Sequence, residues 1–407
     1  MSAMAIYGAG AAAWLGVGLV LLWAGLIMWI GAWWAPRLPA GPPGAAGPDG
    51  PDRPDGAGGK AAPGPVVVII PARDEAASIG AVVAAHLRAR YPAPPLVIVV
   101  DDASADGTAA LARAAAARLG ASDRLVVIDG APLPPGWTGK LWAQAQGLAE
   151  ARVRVPGARW LLLCDADILF GPDTLARLVA LAGARRLSLA SLMARLDARG
   201  FWAGLLIPAF VTFFMKLYPF WQLGHPASRI AGAAGGVMLL SAGMAARLDW
   251  PMSMRGALID DCTLAARVKA AGGRLWLGLA RLGEAESLRD NRALASIWRM
   301  VARTAFTQLR YSPWALAGAL AGMVLLYLGP PALALGGAGT ARAAGALAWA
   351  LMVIAALPVA LDYRRPWAAV LLPLAGLAYA VMTLDSARRH WAGAGGAWKG
   401  RTYPAAG

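Results

Sequence analysis

The sequence predicts an α/β domain of the Rossmann type, held at a membrane by one N-terminal helix and about three C-terminal helices. In the middle of the chain, continuous apolar runs alternate with alanine-rich helical segments, as in a parallel sheet covered on both faces. Uncharged runs of about 18 or more residues, long enough to cross a bilayer, occur near both ends. Hydrophobic residues make up 58% of the 407 residues, above the roughly 45–50% of soluble domains.

The first element is a membrane anchor at residues 1–36, which contain no charged side chain. A cleaved signal peptide has a basic start and a shorter apolar core, so an uncleaved anchor fits better. Residues 37–65 are crowded with proline, glycine and alanine, a composition typical of linkers.

The second element is the α/β domain, predicted at residues 66–312. Its strands are expected at four apolar runs, 66–70, 96–100, 125–128 and 160–164. In open α/β sheets ligands bind outside the carboxyl ends of the strands. The polar residues that directly follow these runs are therefore the candidates for a site.

The third element is a set of C-terminal spans at residues 313–385, followed by a basic tail at 386–407. The spans are predicted at 314–335, 343–361 and 367–384. With the domain in the cytoplasm, three later spans place the basic tail outside, against the positive-inside tendency. Either one late segment does not span the membrane, or the tail departs from this tendency.

An apolar, aromatic stretch at residues 201–224 is interrupted by Pro208, Lys216 and Pro219. A lysine in a lipid-facing span costs about 2.5 kcal/mol or more. We therefore predict an interfacial or re-entrant element here.

The formal charge of +15 is typical of a membrane protein that contacts anionic lipid, and nucleic acid is not expected as a partner. The two cysteines, Cys164 and Cys262, do not make a disulfide framework. The three histidines are too widely spaced for a zinc site.

Asp165-Ala166-Asp167 directly follows the fourth run, where residues two apart point to the same side of a strand. Paired carboxylates suit Mg²⁺ or Mn²⁺ bridging a diphosphate. Either residue could instead cap a helix or lie on the surface. The position after a buried strand favours the metal and nucleotide role.

Asp101-Asp102 follows the second run, and two adjacent carboxylates in an apolar setting need a ligand or hydrogen bonds. A uracil or ribose would supply them, whereas the plain alternative is capping of the next helix. We predict Asp102 as a ligand residue and Asp106 as a structural one.

Asp260-Asp261 precedes an amphipathic helix, so the pair could be an N-cap worth roughly 1 kcal/mol. One residue would suffice for capping, and the second could act as a general base for an acceptor hydroxyl.

Lys140 could contact the nucleotide or its phosphates. Arg299 and Arg303, one helical turn apart, could compensate a diphosphate or bind lipid headgroups.

Five motifs occur in a defined order along the chain. They are 71–75 (Pro-Ala-Arg-Asp-Glu), 100–108, Gly139-Lys140, Asp165-Ala166-Asp167 and Asp260-Asp261. Together they resemble the family 2 glycosyltransferases, which are inverting enzymes of the GT-A fold. The resemblance implies that Asp102 contacts the nucleobase, that Asp165 and Asp167 hold ribose, metal and diphosphate, and that Asp261 is the catalytic base.

The complete predicted site has three parts. The catalytic residues are Asp261 and Asp260; the metal ligands are Asp167 and Asp165; the nucleotide-sugar residues are Pro71, Arg73, Glu75, Asp102, Lys140, Asp165 and Arg303.

Processive family members carry Gln-x-x-Arg-Trp, of which residues 300–304 keep only Arg303. This departure favours transfer of a single sugar.

Within the family, residues 135–143, 259–262, 303–311 and 398–401 are similar to the hopene-associated glycosyltransferases of hopanoid gene clusters, which implies a lipid acceptor. The predicted function is metal-dependent, inverting transfer of one sugar from a nucleotide sugar, a UDP-sugar by expectation, to a membrane lipid such as a hopanoid. The predicted location is the cytoplasmic face of the inner membrane. The alternatives are a processive polysaccharide synthase and a non-catalytic, membrane-bound nucleotide-sugar binding protein.

Overall fold

The computed structural model describes residues 3–31, 35–39, 64–393, 397–398 and 401–402. Its centre is a seven-stranded mixed sheet in the order β3-β2-β1-β4-β7-β6-β8. The strands are β1 (Val66–Ala72), β2 (Leu96–Asp101), β3 (Leu125–Asp129), β4 (Trp160–Cys164), β6 (Leu189–Met193), β7 (Val237–Ser241) and β8 (Leu275–Leu279), and β5 (Ile168–Phe170) lies outside this sheet. The four runs predicted as strands are confirmed, and β1 to β4 pair in parallel.

Three strands of the sheet were not predicted, and one of them makes the sheet mixed. Strand β7 runs antiparallel to both β4 and β6, whereas β8 is parallel to β6. Each of the three has five residues. Periodicity alone does not separate such short apolar runs from buried helix segments.

The α/β domain has helices on both faces of the sheet, together with helices that pack further out. They are α2 (Ile79–Leu87), α3 (Thr108–Arg118), α4 (Gly139–Arg154), α5 (Thr174–Ala184), α6 (Phe201–Leu217), α7 (Phe220–Leu223), α8 (Ala242–Arg247), α9 (Asp260–Ala270), α10 (Leu294–Ala302) and α11 (Ala305–Gln308). Every residue of β1 is buried. Val68 and Ile70 face one apolar core, while Val67 and Ile69 face the other, as expected for a sheet covered on both sides.

The remaining helices flank this domain in the chain. They are α1 (Ala3–Ile30), α12 (Pro313–Met323), α13 (Gly329–Gly336), α14 (Gly339–Asp362), α15 (Trp367–Val370) and α16 (Leu372–Trp391), with a π-helical turn at Val324–Leu328 between α12 and α13. Trp23 of α1 donates a hydrogen bond to the Leu326 carbonyl and packs edge-on against Tyr327. Trp23, Tyr327 and Met352 belong to the same apolar core as Ile69 of the sheet. The α/β domain and the apolar helices therefore share one core.

Within the described residues, four helical segments are long and apolar enough to cross a membrane. They are Gly10–Ile30, Phe201–Leu223, Pro313–Gly336 and Gly339–Asp362. Phe201–Leu223 meets these criteria of length and composition although the sequence predicted an interfacial or re-entrant element. Of its most apolar window, 56% is buried inside the protein. Lys216 packs over the rings of Phe213 and Tyr327.

The span predicted at 367–384 is not one continuous helix. The chain breaks at Leu371 between α15 and α16, and α16 carries Asp385, Arg388 and Arg389 near its end. These charges keep α16 out of the set of candidate spans. The third C-terminal span, at 367–384, therefore stays a prediction.

The start of the predicted 37–65 linker is packed against the α/β domain. Leu38 is fully buried, and the Arg177 guanidinium donates hydrogen bonds to the carbonyls of Leu38 and Pro39. Pro36 accepts a hydrogen bond from the Leu279 amide at the edge of β8. Residues 40–63 of the linker, and most of the basic tail beyond α16, lie outside the described residues.

A small two-stranded sheet lies next to the large one. Its strands are β5 and β9 (Ala285–Ser287), which pair antiparallel with Ile168 opposite Ser287. Two further short strands, β10 (Ala397–Trp398) and β11 (Arg401–Thr402), pair with each other. The β5 and β9 pair matters for the site, because β5 begins directly after Asp167.

We expect Gly171→Ala to destabilise the protein by about 1–3 kcal/mol, the usual cost of overpacking. A Cβ at this position would lie 1.9 Å from the carbonyl oxygen of Gly283, so backbone must move. The midpoint of thermal unfolding measures the effect. The matched control is Gly183→Ala in α5, where a Cβ meets nothing within 4 Å; an equal fall for both variants would contradict the steric explanation.

Candidate active site

Four charged side chains from three separate segments converge beyond the carboxyl end of β4. Lys140, in the first turn of α4, places Nζ 2.9 Å from Oδ1 of Asp165 and 3.2 Å from Oδ2 of Asp260. Asp261 follows in the first turn of α9. We call Lys140, Asp165, Asp260 and Asp261 the carboxylate cluster, and it unites the predicted Lys140 and Asp-Asp motifs with the first residue of Asp-x-Asp.

The Asp260-Asp261 pair is not the N-cap that the plain interpretation expected. Helix α9 begins at Asp260, its N-cap is Ile259 and no side chain caps it. Both carboxylates instead lie in the first turn, where the positive end of the helix dipole favours negative charge. Asp261 accepts hydrogen bonds from the amides of Gly235 at 2.9 Å and Cys262 at 2.7 Å.

Gly235 allows the chain before β7 to approach this cluster closely. A Cβ at this position would lie 3.1 Å from Oδ2 of Asp261 and 3.3 Å from Nζ of Lys140. The glycine amide thus reaches the carboxylate directly. Sequence reasoning missed Gly235, because a glycine in a glycine-rich and alanine-rich stretch gives no signal of its own.

Burial and neighbouring charges shift the pKa values of Asp261 and Lys140. Burial and the neighbouring charge of Asp260 raise the pKa of Asp261 to about 6, although Lys140 and the two amide hydrogen bonds oppose them. Burial alone would lower the pKa of Lys140, but the charges of Asp165 and Asp260 outweigh it and the net shift is upward. Lys140 is therefore cationic at neutral pH.

The second residue of Asp-x-Asp is held by the strand pair β5 and β9. The Ser287 hydroxyl donates to Oδ2 of Asp167 at 3.0 Å, and Nε of Arg289 lies 3.2 Å from the same oxygen. Nη2 of Arg289 is also 3.6 Å from Oε1 of Glu75. Ser287 and Arg289 were not predicted; a three-residue strand gives almost no sequence signal.

The ends of β1 and β2 bring Arg73 and Asp102 together. Nη1 of Arg73 donates to the Asp102 carbonyl at 2.6 Å and lies 3.6 Å from Oδ2 of that residue. Asp102 is buried. Pro71 is buried inside β1, opposite Val100 of β2, so it supports the strand end.

Asp106 has the structural role that the capping interpretation assigned to it. Its carboxylate accepts hydrogen bonds from the amides of Ala76 at 2.9 Å and Thr108 at 3.1 Å. It thereby ties the loop after β1 to the start of α3.

Arg303 follows α10 and is exposed. In the part of the chain that the structure describes, no ion pair joins its side chain to the carboxylate cluster. Its predicted role at the diphosphate stays a prediction.

The protein family described as Glycosyltransferase like family 2 matches residues 63–306. This segment is more than half of the chain and contains the whole carboxylate cluster and Asp167. The chain belongs to this glycosyltransferase family. The α/β domain described above is accordingly the GT-A fold of a glycosyltransferase.

Solved structures of other glycosyltransferases are similar at low identity. A mannosyltransferase from Pyrobaculum calidifontis, solved with GDP-Man and Mn²⁺, is 20% identical with a TM-score of 0.46 over 92% of this chain and 99% of its own. Glucosyl-3-phosphoglycerate synthase from Mycobacterium tuberculosis, solved with Mg²⁺ and UDP, is 22% identical with a TM-score of 0.40 over 61% and 79%. TarS 1–349 from S. aureus, solved with UDP, is 13% identical with a TM-score of 0.39 over 81% and 92%. No curated protein matches this glycosyltransferase.

Proposed function

We propose that this glycosyltransferase moves one sugar, with inversion, from a nucleotide sugar to the hydroxyl group of a membrane lipid. The observation that carries the proposal is the convergence of Asp261, Lys140 and Asp165 at the strand ends of a domain that shares its core with apolar helices. A donor site and a route to lipid are thereby adjacent. The expected donor is a UDP-sugar and the expected acceptor class includes hopanoids.

Asp261 is the base in this proposal. Asp260 is paired with Lys140, whereas Asp261 is held by two backbone amides and has a pKa of about 6. It is therefore mostly ionised at pH 7 and close to the proton affinity that suits a general base. The acceptor hydroxyl gives its proton to Asp261, and its oxygen forms the new bond to the anomeric carbon. The bond from that carbon to the diphosphate breaks, and the nucleoside diphosphate leaves with the electron pair.

Asp165 and Asp167 fit a divalent cation of the Mg²⁺ or Mn²⁺ type. Among the described residues no three His, Cys, Asp or Glu side chains form a metal cage. Mg²⁺ is commonly held by one or two carboxylates plus substrate phosphates, so two carboxylates beside a diphosphate suffice. When bound, the cation neutralises charge on the leaving diphosphate.

In the free protein Arg289 pairs with Asp167 and also lies next to Glu75. Its side chain is 46% exposed, so it can turn away from the carboxylate toward a diphosphate. We infer that Arg289 neutralises Asp167 until donor and metal arrive.

We expect Arg289→Gln to strengthen Mn²⁺ binding to the nucleotide-free protein several-fold, because a competing cation is removed. In the presence of nucleoside diphosphate the same change should weaken Mn²⁺ binding, because the guanidinium no longer contacts the phosphates. Electron paramagnetic resonance of free Mn²⁺ measures both affinities. Arg292→Gln is the matched control, since Arg292 lies three residues after Arg289 and pairs with Asp290. Unchanged Mn²⁺ binding in Arg289→Gln would refute the competition between Arg289 and the metal ion.

The lipid part of the proposal is supported by the arrangement of the apolar helices. Helix α6 packs against helices α14 to α16 and shares an apolar core with the sheet. Tyr218, which directly follows α6, interacts electrostatically with Asp261 of the carboxylate cluster. The catalytic site is expected at the cytoplasmic face of the inner membrane. A soluble acceptor would not require this packing.

The direct test is a screen of purified protein against nucleotide sugars with Mn²⁺ and Mg²⁺. Release of free nucleoside diphosphate is read with and without a membrane lipid extract. We expect release from one class of donor, dependent on metal and stimulated by lipid. No release with any donor would overturn the proposed activity, and lipid-independent release would overturn the lipid acceptor.

A further inference from the structure

Tyr218 stands where the apolar helix α6 meets the catalytic site. It is the C-cap residue of α6, and its amide donates to the Phe214 carbonyl. The ring centroids of Phe214 and Tyr218 are 5.0 Å apart. The phenol is therefore attached to a segment that runs along the apolar core shared with the membrane helices.

The position of the Tyr218 ring is closely defined by its neighbours. A Cβ on Gly232 would lie 2.7 Å from the ring, so glycine is needed for the ring to lie against this backbone. On the other side Nε2 of Gln308, in α11, donates to the Tyr218 hydroxyl at 2.5 Å. Gly232 thus lies against the ring, and Gln308, 90 positions further along the chain, holds the hydroxyl group.

A short chain of contacts leads from this hydroxyl to the proposed base. The Cys262 thiol donates to the Ala233 carbonyl at 3.6 Å, and its side chain interacts electrostatically with the Tyr218 phenol. The Cys262 amide donates to Oδ1 of Asp261 at 2.7 Å. Cys262 therefore links Asp261 to the pair formed by Tyr218 and Gln308. On its other side Asp261 lies near Lys140, which contacts Asp165 of the proposed nucleotide-sugar site.

We propose that Tyr218 and Gln308 position the acceptor and that the acceptor is a neutral lipid alcohol, an inference that rests on the proposed function. A phenol and an amide exchange hydrogen bonds with a hydroxyl and carry no charge. The nearby carboxylates of Asp260 and Asp261 disfavour a phosphate. An alcohol at the end of an apolar body fits both the pair and the apolar helix that leads to it.

The test measures transfer by purified full-length protein in mixed micelles. The acceptors are the neutral and the anionic fractions of a bacterial membrane lipid extract, and the donor is the nucleotide sugar found in the screen. Tyr218→Phe and Gln308→Leu are compared with Tyr91→Phe, the control, because the Tyr91 hydroxyl bonds to the remote Gly64 carbonyl. Thermal unfolding verifies that each variant is folded.

We expect sugar to appear on the neutral fraction. Tyr218→Phe should raise the apparent KM for that fraction about tenfold, the equivalent of one hydrogen bond of roughly 1.4 kcal/mol, while the donor KM stays within about twofold. A purely structural role would move both constants together and would overturn the inference. Sugar on the anionic fraction would also overturn it, whereas wild-type protein that transfers to neither fraction would refute the proposed function itself.

Discussion

Asp261→Asn is expected to lower the rate of sugar transfer by about 10²- to 10⁴-fold, the range that general base catalysis contributes. The amide keeps the shape of the carboxylate but takes no proton from the acceptor hydroxyl. The initial rate of nucleoside diphosphate release with lipid acceptor measures the effect. Asp290→Asn is the matched control, because that carboxylate is 60% exposed and paired with Arg292 outside the cluster.

Folding should survive this substitution. Since the folded-state pKa of Asp261 is raised, its protonated form favours folding. That stabilisation is complete below the unfolded pKa and is lost as pH rises through about 6. At pH 7 the neutral asparagine removes a destabilising charge, but its NH₂ group cannot accept the hydrogen bond of the backbone amide that faces it, Gly235 or Cys262. These two effects oppose each other, so the unfolding midpoint should change little. An Asp261→Asn protein that is folded and retains transfer would exclude this base.

The same pKa predicts the pH profile of the wild-type protein. The base must be ionised, so kcat/KM should fall about tenfold for each pH unit below about 6. Asp290→Asn should keep this acidic limb. A flat profile between pH 5 and 7 would contradict the assignment.

Lys140→Met is expected to destabilise the protein by about 3 kcal/mol, because removal of one partner leaves buried charges uncompensated. Lys140 is only 16% exposed and lies against Asp165 and Asp260. Chemical or thermal unfolding in detergent at pH 7 measures the loss. The difference in unfolding free energy between Lys140→Met and the wild type should be smaller at pH 5, since protonation relieves the repulsion among the remaining carboxylates.

Arg154→Met is the matched control for this second substitution. It lies in the same helix, and its guanidinium is 57% exposed and pairs with Glu150 one turn away. An exposed pair of this kind contributes about 0.5 kcal/mol or less. Equal destabilisation by both changes would show that the carboxylate cluster does not depend on Lys140.

The sequence by itself determined β1 to β4 and the polar residues that follow β1, β2 and β4. Continuous apolar runs must be buried, and strand geometry then places Asp102, Asp165 and Asp167 at one edge of the sheet. The first, third and fourth of the four candidate spans, Gly10–Ile30, Pro313–Gly336 and Gly339–Asp362, were equally predictable, because uncharged runs of bilayer length are a local property.

Only the tertiary structure decided which side chains meet. Lys140 reaches Asp260 across 120 positions of chain, Arg289 reaches Asp167 because β9 pairs with β5, and Tyr218 meets Gln308 at the end of α6. It also placed α6 within the shared core and divided the last apolar run between α15 and α16. Such contacts depend on strand pairing and packing between distant segments, whose energies are not encoded in any local pattern of residues.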